Sequence, residues 1–97
     1  MVYHYVFWNF IATLTEEEKN AAGLKIVENL NSLKGVIPGL LDLEVVINKN
    51  SASNRELALI SKFESQEALD GYQIHPKHLE AASYVRSVTC DRICFDY

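Results

Sequence analysis

Basic residues are scarce in this chain: nine Lys and Arg stand against thirteen Asp and Glu, for a net charge of −4. The nine are also scattered. A nucleic-acid binder needs clustered cations to displace counterions, so DNA and RNA are excluded as expected partners. No apolar run reaches the eighteen or so residues of a membrane span, which argues against a membrane partner. The apolar start Met1 to Phe10 has no basic flank and no small-residue cleavage site, and acidic Glu16 to Glu18 follow soon after, so it does not read as a secretory leader. Repeats, low-complexity tracts, linkers and glycine-rich phosphate loops are missing as well. There are two cysteines, Cys90 and Cys94. Four apart in an expected strand, they should share one face at a distance on the order of 13 Å, too far for a disulfide. They are read as two small, reduced core residues of a cytoplasmic protein.

What is present is ordinary globular material, 48% hydrophobic over 97 residues. That length suits one domain over residues 1–97. A chain of this size buries roughly 60–65% of its unfolded surface, enough for a small core. Residues 2–10 are aromatic and β-branched and read as a strand. Val2, His4, Val6, Trp8 and Phe10 fall on one face and Tyr3, Tyr5, Phe7 and Asn9 on the other. A sheet with one wet side would alternate more cleanly, so the second face is expected to be covered too.

A helix is expected to open at the capping box Thr15-Glu-Glu-Glu18, to bury Ala22, Ile26, Leu30 and Leu33, and to end at Gly35. Gly23 weakens its interior by about 1 kcal/mol relative to alanine, for which a close approach of backbone is one explanation. Ile37-Pro-Gly-Leu40 is a turn. Leu41, Leu43, Val45 and Ile47 then share one face of a second strand. A polar hairpin loop follows at 48–54, and Leu57 to Phe63 form a third strand. Ser65 caps a short helix, which should stop near residues 72–74 because Pro76 excludes His75 from helical geometry. Pro76 then suits the first position of a further helix, to about Val85, before a last strand from Val88 to Tyr97. The order β-α-β-β-α-β defines a ferredoxin-like α+β fold.

Two of the three histidines lie in Tyr72-Gln-Ile-His-Pro-Lys-His78. His78 would fall in the first turn of its helix, whose positive end disfavours imidazolium and leaves a neutral base. Tyr72 could orient that imidazole or donate to a carbonyl oxygen. The same residues have plainer uses: His75 as a helix cap, Tyr72 as a core aromatic, His78 bonded to a backbone carbonyl, His4 as a buried histidine satisfied by a neighbour. His75 and His78 have metal-ligand spacing but no third ligand in the motif, so no metal is assigned. Asp91, Arg92 and Asp96 read as surface or interface ion pairs.

Taken together, His4, Ile37-Pro-Gly-Leu40, the run from Leu57 to Leu69, the Tyr-x-x-His-Pro-x-His motif and the ending Asp91-Arg-Ile-Cys-Phe-Asp-Tyr97 resemble the stress-responsive α/β-barrel (Dabb) family over nearly the whole chain. The resemblance implies a homodimer closed into an α/β barrel, with a pocket for a small hydrophobic or aromatic ligand. The family includes a plant polyketide cyclase that closes a ring without a cofactor. By that resemblance Tyr72 and His78 are the catalytic candidates, His4 and His75 line the pocket, and no cofactor is needed. The chain departs from that cyclase at Leu57, where it has a histidine, and at Ala21 and Ala22, where its first helix carries aromatic residues. The reading therefore spans a cofactor-free cyclase or isomerase, a small-molecule binder, and a non-catalytic stress or structural dimer.

Overall fold

The computed structural model describes residues 1–48 and 50–97; position 49, in the expected hairpin loop, lies outside the described residues. Four strands, β1 (Val2–Phe10), β2 (Leu40–Ile47), β3 (Leu57–Phe63) and β4 (Thr89–Asp96), form one antiparallel sheet in the order β2-β3-β1-β4. Helices α1 (Glu16–Asn31), α2 (Gln66–Ile74) and α3 (Pro76–Val88) pack on one side of it. This is the ferredoxin-like α+β fold.

Local signals set the helix starts. The Thr15 hydroxyl accepts from the Glu18 amide and the Glu18 carboxylate accepts from the Thr15 amide, closing the capping box. Ser65 accepts from the Ala68 amide in the same way. The proline break also falls where the sequence places it: α2 ends at Ile74, Pro76 opens α3, and His75 between them is extended at φ −66°, ψ 132°. The first helix is shorter than its pattern suggests. It stops at Asn31, with Ser32 as its cap, and the chain continues as a tight turn. Leu33 is still buried, but from that turn, and Gly35 supplies its left-handed residue at φ +77° rather than capping the helix. Helix α3 extends to Val88, one turn beyond the expected end.

The core lies between the helices and the inner face of the sheet. His4, Val6, Trp8 and Phe10 of β1 are buried there, with Leu57, Leu59 and Phe63 of β3 beside them. From above, Ile26, Leu30, Leu69 and Val85 close the layer. Each such aliphatic side chain stabilises the fold by roughly 1.5–3 kcal/mol when fully buried. Gly23 lets α1 settle on β2, since a Cβ there would come within 2.8 Å of the Ile47 side chain. The close neighbour is thus a side chain, not backbone.

Two irregularities overturn simple alternation. In β2, Leu40 pairs with Phe63 and Asp42 with Lys62, so Leu41 is an extra residue. Leu40 turns to the core and Leu41 is left 50% exposed, whereas strict period two puts Leu41 inside. In β4, Asn9 pairs with Cys90 but Phe7 with Ile93, which leaves Asp91 and Arg92 opposite Trp8. Asp91 takes a left-handed φ of 54°. The pair is a β-bulge with its first residue in the conformation usually given to glycine. Its effect is a change of face. Cys90 pairs with outward Asn9 and Cys94 with inward Val6, so the two cysteines do not share a face as expected; both are free, and neither is a core residue, Cys90 being half-buried and Cys94 exposed at the sheet edge.

Candidate functional site

Leu69 and Tyr72 lie three apart on α2 and both are buried, which carries the phenol ring inward against Phe63 at 5.0 Å between centroids. His78 is the third residue of α3, just past the break. Its ring stacks on Tyr72 at a centroid distance of 4.0 Å and a tilt of 38°. The two do not hydrogen-bond to each other. Instead, Tyr72 Oη and His78 Nδ1 are the two buried side-chain polar atoms, among the described residues, without any hydrogen-bond partner. Buried polar groups are nearly always satisfied, so two orphans at one place call for an external partner.

Both residues border a cavity of about 220 Å³ between sheet and helices. Val6, Trp8, Leu30, Leu59, Leu79 and Val85 supply its apolar wall, and His4, Gln73, Arg86 and Arg92 the remaining polar groups. The volume is below the roughly 300–1,000 Å³ of pockets for drug-sized molecules, and suits a single ring or short acyl group.

Burial raises the Tyr72 phenol above the ordinary range, against the opposing charge of Arg92. At neutral pH the hydroxyl therefore keeps its proton and can donate. Burial depresses His78, and the positive charges of Arg86 and Arg92 act the same way, while the Gln73 backbone opposes them. The imidazole is thus neutral at pH 7 and able to accept a proton, chiefly because it is desolvated rather than because it sits at a helix start.

His4 is 3% exposed, and its Nδ1 lies 2.5 Å from Asp96 Oδ1. A carboxylate only accepts, so the hydrogen sits on Nδ1 and the tautomer is set by Asp96. His4 is accordingly both a cavity residue and a histidine satisfied by a neighbour. Cys94 Sγ approaches the same nitrogen at 3.8 Å. His4, Cys94 and Asp96 bring one nitrogen, one sulfur and one oxygen within 4.8 Å of one another, a donor set compatible with a metal. Here those atoms bond to each other.

His75 stands apart from the other candidates. Its Nδ1 accepts from the Lys77 amide and caps α3, and the cavity wall does not include it. The two arginines were missed by sequence reasoning. The sequence suggests a surface or interface ion pair for Arg92, but no carboxylate lies within 4.0 Å of it among the described residues. Only the β4 bulge turns it toward the cavity, and no local pattern marks that. Arg86 had a signal: it is eight residues past His78, close to two helical turns, and so shares its side of α3. Leu57 is buried in the core, and neither it nor Ala21 or Ala22 borders the cavity.

No curated protein sequence matches the chain. Solved structures do. A protein of unknown function from Bacteroides fragilis, described as dimeric with a ferredoxin-like fold, is 27% identical with a TM-score of 0.92, over 99% of this chain and 93% of that one. A hydroxynitrile lyase from Passiflora edulis is 18% identical with a TM-score of 0.78, over 99% and 90%. A cofactor-independent oxygenase from Streptomyces nogalater is 10% identical with a TM-score of 0.75, over 99% and 89%. These likenesses establish the fold. With its motif, cavity and sheet order in place, residues 2–97 match the family described as the stress responsive A/B barrel domain, and the chain belongs to that family, Dabb.

Proposed function

We propose that the chain acts as a homodimer that holds a small aromatic or β-keto compound in the cavity beneath its helices and moves a proton α to the ligand's carbonyl, without a cofactor. The observation that carries this is the pair of buried, unpartnered atoms, Tyr72 Oη and His78 Nδ1, on the wall of one cavity. Their opposite protonation tendencies match the two roles required. The phenol donates to the carbonyl oxygen, where charge develops, and the neutral imidazole takes the α-proton. The resulting enolate can close a ring by aldol addition or be reprotonated as an isomer. His4, oriented by Asp96, supplies polar lining. Two similar folds, the hydroxynitrile lyase and the cofactor-independent oxygenase, are consistent with small-molecule chemistry on this scaffold, though fold alone does not define a reaction.

The second copy is placed on the outer face of the sheet. Ile60, Ile93, Phe95 and Tyr97 are 37%, 45%, 59% and 61% exposed there, beside half-buried Tyr3, Tyr5 and Phe7. Such a patch marks an interface, and several structural neighbours are described as dimeric.

The stacking of Tyr72 and His78, with no bond between them, favours a second reading in which the cavity binds its ligand without turnover. One experiment separates the two. Deuterium exchange at the α-carbon of acetoacetate-type ketones is followed by NMR with the wild type, Tyr72→Phe and His78→Ala. Proton transfer predicts catalysed exchange that falls by about 10²–10⁴ in His78→Ala. Ligand-induced stabilisation with no exchange in the wild type sinks the enzyme reading and keeps the binder.

A further inference from the structure

The cavity wall is largely apolar, yet two guanidiniums border it, Arg86 from the last turn of α3 and Arg92 from β4. Neither has a carboxylate within 4.0 Å among the described residues, where Lys19 has two and His4 has Asp96. An exposed, unpaired arginine is common by itself. Two beside one cavity are unusual in a chain with more acids than bases and a net charge of −4. The backbone also adopts an uncommon conformation to bring one of them there. Asp91 accepts a left-handed φ of 54°, and the bulge it opens turns Arg92 away from the outer face that Ile93 joins. Non-glycine residues in such conformations persist where surrounding structure holds them.

We infer that this cavity takes a carboxylate-bearing ligand, its carboxylate held by Arg92 and Arg86 and its compact apolar body against Trp8 and Leu59. This rests on the reading of the cavity as a ligand site and adds the chemical class. A planar guanidinium matches a carboxylate with two parallel hydrogen bonds, which an amide or alcohol cannot reproduce. Tyr72 and His78 line the same cavity, so the reacting carbonyl belongs to the same small molecule as the carboxylate, as in a keto acid. Loss of the guanidiniums should therefore erase the difference in affinity between an acid and its uncharged isostere.

The test is calorimetric titration of the full chain with 3-phenylpropionate and 3-phenylpropionamide, which differ in charge and little in size. The acid should bind at least about tenfold more tightly, the scale of charged hydrogen bonds. In Arg86→Gln/Arg92→Gln the preference should shrink to about twofold or less, chiefly through lost affinity for the acid. Arg92→Lys keeps the charge without the fork and should fall between the two. Should the double variant fail to fold, the single Arg86→Gln and Arg92→Gln variants carry the comparison. Equal binding of acid and amide to the wild type overturns the carboxylate assignment alone, as does a preference that survives loss of both arginines. Failure of both compounds to bind at millimolar concentration removes the cavity as a ligand site of this class, and the proposed function with it.

Discussion

On one face of β1, His4, Val6, Trp8 and Phe10 are buried beneath three helices; on the other, Tyr3, Tyr5 and Phe7 are half-buried, with only neighbouring side chains around them. The two faces are similar in apolar content and different in polarity of detail. The inner face meets a cavity bordered, among the described residues, by two unpartnered polar atoms and two arginines without acid partners. The outer face is a continuous aromatic surface, where Tyr3 stacks on Tyr97 at 4.9 Å and the main chains of the same two residues bond in both directions. An exposed, largely aromatic face suits another protein surface. An apolar cavity with unsatisfied groups suits a small polar ligand. In the proposed function a single strand serves assembly on one side and chemistry on the other.

The largest effect should come from placing a charge on the outer face. Phe95→Asp should weaken dimerisation by about 2–4 kcal/mol, the range of interface hot spots, with little loss of monomer stability because Phe95 is 59% exposed in the isolated chain. Sedimentation velocity over a concentration series checks it; unchanged association would remove the outer face as the interface. Next in size is the bulge that separates the faces. Asp91→Val should cost about 1–3 kcal/mol in chemical denaturation, because a β-branched residue resists a φ of 54°, whereas Asp91→Gly should be neutral or slightly stabilising. Similar costs for the two would mean that the left-handed conformation is not what matters there.

A smaller effect, of opposite sign, is expected inside the cavity. Tyr72→Phe removes a buried hydroxyl that has no partner, so the unliganded protein should gain up to about 1 kcal/mol while proton transfer is impaired. A loss of stability in thermal unfolding would show that the hydroxyl is satisfied without ligand. The smallest effect is electrostatic. His78 binds its proton less readily folded than at the ordinary value of 6.5. Below that pH the unfolded chain takes up more protons than the folded one, so this contribution is complete above 6.5 and declines as pH falls, levelling off below the depressed folded value. Denaturation midpoints at pH 7.5 and 5.5, compared between wild type and His78→Gln, isolate it: the variant should lose less stability on acidification. An equal loss in both would mean that His78 is not desolvated.

Much of this could be read in the sequence, and the reason is range. The capping box at Thr15, the cap at Ser65 and the break at Pro76 are decided within three or four residues. The sandwich of buried and half-buried faces follows from a period of two along one strand. That periodicity pointed to a second covering surface before any sheet was seen, and Tyr72 and His78 were legible because one proline links their two helices. What tertiary structure alone decided lies where a local rule is broken or a distance along the chain is closed. An extra residue in a strand leaves no mark in composition, so the bulges at Leu41 and Asp91, the opposite faces of Cys90 and Cys94, and the inward turn of Arg92 follow only from pairing with β3 and β1. The bond between His4 and Asp96 spans 92 positions and exists because β4 returns beside β1. His75 was drawn into the site by its neighbours in sequence and removed by its own backbone, which needed a cap. Short-range preferences wrote the elements; the register between strands far apart in the chain decided which side chains share a cavity.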